Sequence, residues 1–242
     1  MPQFAVAANA LDRCEARTFQ DGDYVLPYRL LKPKSIDANE KYPLVIFLHG
    51  AGERGDDNEK QLIHGMNDFA SDEVMAKYPA FVIAPQCPRG EAWGGIPRLA
   101  KTETPAGQLT IELSAVLKAT EALRKEFPID DNRIYITGLS MGGYGTWDAL
   151  AKRPELFAAA APICGGGDPA SAPTMKNVPI WAFHGADDPT VPVERSREMI
   201  EALKAAGGEP KYTEYPGVAH NSWSQTYSNP ELYAWLFAQR KK

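Results

Sequence analysis

The sequence predicts an α/β chain built on a mostly parallel sheet of about eight strands, with helices on both faces. Three observations carry that expectation. Two continuous apolar runs, LVIFL at 44–48 and AFVIA at 80–84, read as central strands buried on both sides. Strand-like and helix-like segments then alternate to the end of the chain, the pattern that parallel strands with crossover helices require. Finally, residues 133–147, RIYITGLSMGGYGTW, pass from a β-branched run through a glycine-flanked turn into helical spacing.

The elements follow in order. Residues 18–33 hold two extended pieces, and Pro27 in the second, at 24–31, argues for an edge strand. The run at 44–48 ends in HGAGERG, whose three glycines let the backbone approach whatever sits over the sheet. A helical segment at 68–77 is stopped by Pro79, and the strand at 80–84 closes on PQCP. A Gly- and Pro-rich loop runs from 89 to 107 with Trp93 near its middle; loops of that length tend to be functional. An amphipathic helix at 108–127 feeds the strand at 133–137. After the turn come a helix to 152, strands at 157–163, 178–183 and 211–215, and helices at 193–206 and 230–239.

Composition narrows the classes. The chain has 242 residues, 44% hydrophobic and 24% charged, with no linker, repeat or low-complexity run, so one domain over 1–242 is expected. A net charge of −5 without a basic stripe argues against nucleic acid as a partner. Its apolar runs all fall short of the ~18 residues that span a bilayer, so no membrane partner is expected. The opening residues lack the charged start and apolar core of a secretory signal. Two readings stay open: a cytoplasmic protein, or a secreted one whose signal has been removed. Cys14, Cys87 and Cys164 have no metal-type spacing and read as buried small residues.

Gly138-Leu-Ser-Met-Gly142 is a G-x-S-x-G between a strand and a helix. Such a turn presents the Ser140 hydroxyl above the sheet, beside the unpaired N–H groups of a helix start. A serine hydroxyl needs a neighbouring base, usually histidine, oriented by a carboxylate. The chain has four histidines. His49 and His184 each precede a glycine at a strand end and suit bracing of those turns, while His64 lies in a polar segment before the turn and reads as exposed. His220 lies after the last strand and before the closing helix, where the base of a Ser–Asp–His order falls. Asp187 and Asp188 both follow the strand ending near His184, and position alone leaves both open. The N–H of Met141, directly after Ser140, and one from the loop after Leu48 are the expected oxyanion donors, with Ala51 preferred and Gly52 second. The neighbouring Glu53, Arg54, Asp56 and Asp57 have two readings, a cluster that positions substrate and, preferred, an internally paired, solvated loop.

LHGAGERGDDN (48–58), PQCP (85–88), GLSMGGYGTW (138–147), HGADDPTVP (184–192) and GVAHNSW (217–223) together resemble the α/β-hydrolases. More narrowly, they resemble bacterial phospholipase/carboxylesterase-type esterases related to the prolyl-oligopeptidase and dienelactone-hydrolase branches. The resemblance implies the α/β-hydrolase fold and a carboxylesterase activity. Because the acid in relatives stands four residues after the histidine of H-G-x-x-D-x-x-V, it also implies Asp188 as the carboxylate. Ala51 and Met141 are implied as oxyanion donors.

The expected activity is therefore hydrolysis of small or short-acyl esters by Ser140, His220 and Asp188, without metal or organic cofactor. Lids in this superfamily usually enter between the sixth and seventh strands, where only residues 164–177 are free, so no cap domain and an open site are expected. Trp93 and Trp223 are candidate walls for an aryl or sugar group, which makes acetyl or feruloyl esters of plant polysaccharide candidate substrates. Tyr144 and Trp147 read as core. The competing classes are an oligopeptidase-type serine peptidase and a non-catalytic hydrolase-like binding module.

Overall fold

The structure, a computed structural model, describes residues 10–94, 104–105 and 107–241. Eight strands form one sheet: β1 Glu15–Asp21, β2 Tyr24–Leu31, β3 Tyr42–Leu48, β4 Phe81–Pro85, β5 Ile129–Leu139, β6 Ala159–Ile163, β7 Trp181–Gly185 and β8 Lys211–Tyr215. Their order is β1-β2-β4-β3-β5-β6-β7-β8. The β1–β2 and β2–β4 pairs are antiparallel, and all the others are parallel. This is the α/β-hydrolase fold.

Alternation along the central strand explains why both faces are covered. Leu44, Ile46 and Leu48 of β3 point into one apolar cluster, while Val45 and Phe47 point into the other. The first cluster is closed by α3 (Ile111–Glu126), α4 (Met141–Lys152) and α6 (Glu194–Ala205), through side chains such as Val116, Trp147 and Met199. The second is closed by α1 (Met66–Phe69) and α8 (Pro230–Ala238), through Phe69, Leu232 and Leu236. Each fully buried side chain of this size contributes about 1.5–3 kcal/mol. Between β6 and β7 lie only a 3₁₀ turn, Pro169–Ser171, and the one-turn helix α5, Ala172–Met175.

Two local readings of the sequence change. The segment at 68–77 is two helices, α1 and α2 (Asp72–Lys77), because the Ser71 backbone is extended and its Oγ accepts from Val74 N–H, which caps a new start. Strand β2 is internal, not an edge, despite Pro27. That residue faces Thr18 of β1, and its carbonyl accepts from Gln86 N–H just past the last β2–β4 pair, Tyr28↔Pro85. The missing N–H faces Gln86 at the end of the β2–β4 ladder, so it forgoes a single terminal hydrogen bond.

Candidate functional site

The site is built at the C-terminal ends of β3, β5, β7 and β8. Strand β5 ends at Leu139 and α4 starts at Met141, so Ser140 alone makes the turn. Its backbone sits at φ 53°, ψ −115°, a region that side-chain-bearing residues avoid at a cost of about 1–3 kcal/mol. Sterics dictate the surrounding glycines. A Cβ on Gly142 would lie 1.9 Å from Leu48 O, and one on Gly138 would lie 2.5 Å from Gly142 O. Only a strand and a helix stripped of side chains can cross this closely.

His220 comes from the loop between β8 and α7 (Trp223–Tyr227). Its Nε2 lies 3.0 Å from Ser140 Oγ and its Nδ1 lies 2.7 Å from Asp188 Oδ2. A carboxylate can only accept, so Nδ1 carries the proton and Nε2 is free to accept from the serine hydroxyl. Asp188 has a side chain with no exposed surface, yet both its oxygens are satisfied. Oδ1 accepts from Thr190 N–H at 2.8 Å and Val191 N–H at 3.0 Å, and Oδ2 accepts from His220 and faces His184 Nε2 at 3.2 Å. Burial alone would raise its pKa, but the hydrogen bonds from His220, Val191 and Thr190 outweigh it and hold the carboxyl below the ordinary range. Asp187 is exposed on the same turn.

Ala51 opens a 3₁₀ turn, Ala51–Glu53, directly past the end of β3, and Leu48 of that strand pairs with Gly138 of β5. Ala51 and Met141 therefore follow adjacent strand ends. As the first residue of α4, Met141 has an N–H with no acceptor inside the helix.

His49 and His184 brace turns. His49 Nδ1–H donates to Gly50 O at 2.6 Å and Nε2 accepts from Cys87 N–H at 2.9 Å; burial pushes its pKa down to about 4. His184 Nδ1 contacts Ser196 Oγ at 2.7 Å and Nε2 contacts Val191 O at 3.0 Å.

The expected aromatic walls divide. Trp93 is fully buried, donates Nε1–H to His49 O at 3.0 Å and packs edge-on against the His49 ring. It has no surface to offer a substrate; it is a brace under the Ala51 turn, and much of the loop that follows it lies outside the described residues. Trp223 is partly exposed and meets the His220 ring edge-on with centroids 5.3 Å apart. Its other neighbour is His64, at 5.4 Å, which is half-buried rather than free in solvent. Tyr144 is half-buried too, so of the two rings read as core only Trp147 is fully so. The charged cluster is largely paired: Asp57 takes Lys60 Nζ and Gln86 Nε2, and Arg54 binds Ala51 O and Glu91 O. Glu53 stands apart, buried against Gly50.

All three cysteines are buried and free. Cys164 brings its sulfur within 4.8 Å of Asp188 and His220 donor atoms. That trio does not suit a metal: Asp188 Oδ2 and His220 Nδ1 are spent on each other, and burial pushes the thiol up to about 12.

Comparison with known proteins shows the family. Residues 35–229 match the phospholipase/carboxylesterase family. A thermostable esterase of known structure superposes with a TM-score of 0.90 at 47% identity, over 96% of this chain and 64% of that one. A probable feruloyl esterase C of Aspergillus niger is 25% identical over 202 residues, 82% of this chain and 68% of its own. A secreted protein of Arthroderma benhamiae is 27% identical over 251 residues, 87% of this chain and only 25% of its own length. The chain thus spans less than two thirds of two of these three relatives. Among the described residues, no helix is long and apolar enough to cross a membrane.

Proposed function

The chain belongs to the phospholipase/carboxylesterase family of the α/β-hydrolases, and on that premise we propose that it is a serine carboxylesterase working through Ser140, His220 and Asp188. Ser140 Oγ attacks the ester carbonyl as its proton passes to His220 Nε2. The Met141 and Ala51 N–H groups hold the tetrahedral oxyanion; one such donor is worth about 3–4 kcal/mol in the transition state. Collapse breaks the bond to the alcohol oxygen, which leaves with the proton from Nε2 and so yields an acyl-Ser140. Water then attacks the acyl carbon, gives its proton to Nε2, and Ser140 departs as a hydroxyl. Asp188 stays ionised and stabilises the imidazolium formed in each half. No metal or organic cofactor enters this sequence of steps.

The observation that supports the reading best is the pair of hydrogen bonds on His220, 2.7 Å to Asp188 and 3.0 Å to Ser140. The substrates proposed are small or short-acyl esters, with acetyl or feruloyl groups on plant polysaccharide as the natural class. The short β6–β7 connection and the partly exposed Trp223 beside His220 support an open site for such groups. The test is a p-nitrophenyl ester series with matched anilides. Hydrolysis should be fastest with short acyl chains and far faster for esters than for anilides. A peak at ten carbons or longer would refute the acyl preference, and anilide cleavage at the ester rate would favour a peptidase.

A further inference from the structure

Glu53 is the third residue of the Ala51 turn, and with 9% of its surface exposed it is the buried member of the charged cluster. Among the described residues its carboxylate accepts no hydrogen bond. Its one ion-pair contact is His64 Nε2 at 3.6 Å, beyond hydrogen-bond length. Oε2 lies 2.9 Å from where a Gly50 Cβ would stand, on the side of Gly50 that faces Leu139 Cδ1 and the Leu139 carbonyl. The carboxylate therefore sits between the Ala51 turn and the residue before Ser140.

From Glu53 a row of rings leads back to the proposed base: His64, then Trp223 at 5.4 Å, then His220 at 5.3 Å. A buried carboxylate in this place is a liability for an esterase. Its oxygens keep contact with solvent, and its charge opposes the oxyanion forming at the adjacent turn. That cost falls if the bound substrate brings hydrogen-bond donors to the carboxylate. A pyranose suits the two features together, because its C–H face packs on a flat ring while hydroxyls at its rim reach a carboxylate.

We propose that Glu53, beside the Trp223–His64 wall, is a specificity-determining residue that accepts hydrogen bonds from free hydroxyls of a sugar carrying the ester. This deepens the esterase reading and rests on it: the substrate is a partly acylated glycoside with at least one free hydroxyl near the acyl group.

Binding to Ser140→Ala protein, measured by calorimetry, reads this separately from turnover. The two probes are an acetylated methyl xyloside with free hydroxyls and the same ester with those hydroxyls methylated. The free-hydroxyl ester should bind about 10–100-fold more tightly, the worth of hydrogen bonds to a charged acceptor. Glu53→Gln in the same background should bring the ratio to within about threefold of one, whereas Glu53→Asp, which keeps the charge but draws it back, should leave an intermediate preference. If Glu53→Gln does not fold, as thermal melting would show, the Glu53→Asp ratio decides. Equal binding of the two probes, or a preference untouched in a folded Glu53 variant, overturns the assignment. So does tighter binding of acetylcholine than of the xyloside, since the carboxylate would then serve a cation. Hydrolysis of p-nitrophenyl acetate surviving in Ser140→Ala sinks the esterase reading instead, and the binding ratio remains readable.

Discussion

His184 Nε2 lies 3.2 Å from Asp188 Oδ2, so the carboxylate oxygen that holds His220 is also faced by a second imidazole with no exposed surface. His184 stands at the end of β7 and Asp188 four residues on, after a turn. That contact gives the four-residue spacing of the H-G-x-x-D pattern a physical reason. Asp188 is drawn under the sheet edge by His184 and the Thr190 and Val191 N–H groups, while Asp187 is turned to solvent.

The two acids should therefore separate cleanly under substitution. Asp188→Asn removes the charge that stabilises the imidazolium and disturbs the His220 tautomer, so kcat on p-nitrophenyl acetate should drop on the order of 10³–10⁴. Asp187→Asn should stay within about twofold of the unsubstituted protein, as exposed changes usually do. Equal losses at both positions would contradict the assignment.

The turn at Ser140 should tolerate no side chain at Gly142. Alanine there would set Cβ 1.9 Å from Leu48 O, so β3 or α4 must move, at a cost of about 4 kcal/mol or more. Gly52→Ala, where nothing lies within 4 Å of the added Cβ, should melt within a few degrees of the unsubstituted protein. Thermal unfolding of the two variants checks the contrast.

Much of this was legible in the chain, and the misses have common causes. Apolar runs mark buried strands reliably because both faces must be covered, so β3 and β4 stand out; no run says that β4 lies outside β3 in the sheet, and β2 between them and β1 hides its role behind Pro27. Ser140 and His220 are visible because a strand end and a chain order restrict them. Trp93 and Glu53 are not, because burial of a loop side chain depends on what packs over it. Glu53 and His64 meet through loop geometry, and no periodicity connects them.

The two tryptophans provide a third test. Trp93→Ala should cost about 3–5 kcal/mol of stability, from the cavity and the lost bond to His49 O. Trp223→Ala should act mainly on KM for aryl and sugar esters, because its ring is partly exposed beside His220. Denaturant melts and steady-state kinetics on both variants separate the brace from the wall.

Acid sensitivity should follow from His49 and His184. Burial lowers both pKa values from the ordinary 6.5, that of His49 to about 4. Below pH 6.5 the unfolded chain binds protons that the folded chain refuses, so unfolding takes up protons and stability falls with pH. The stabilisation is complete above pH 6.5 and is lost toward pH 4, where His49 alone accounts for about 3 kcal/mol. Urea unfolding at stepped pH should show this slope, and His49→Gln should flatten it.

The most direct measurement is intact-mass analysis after reaction with a fluorophosphonate probe, alongside turnover of p-nitrophenyl acetate. One probe should attach, at Ser140, and abolish turnover; Ser140→Ala should take no label and lose about 10⁴–10⁶ in kcat. Label on any other residue, or turnover that persists in Ser140→Ala, would contradict the account.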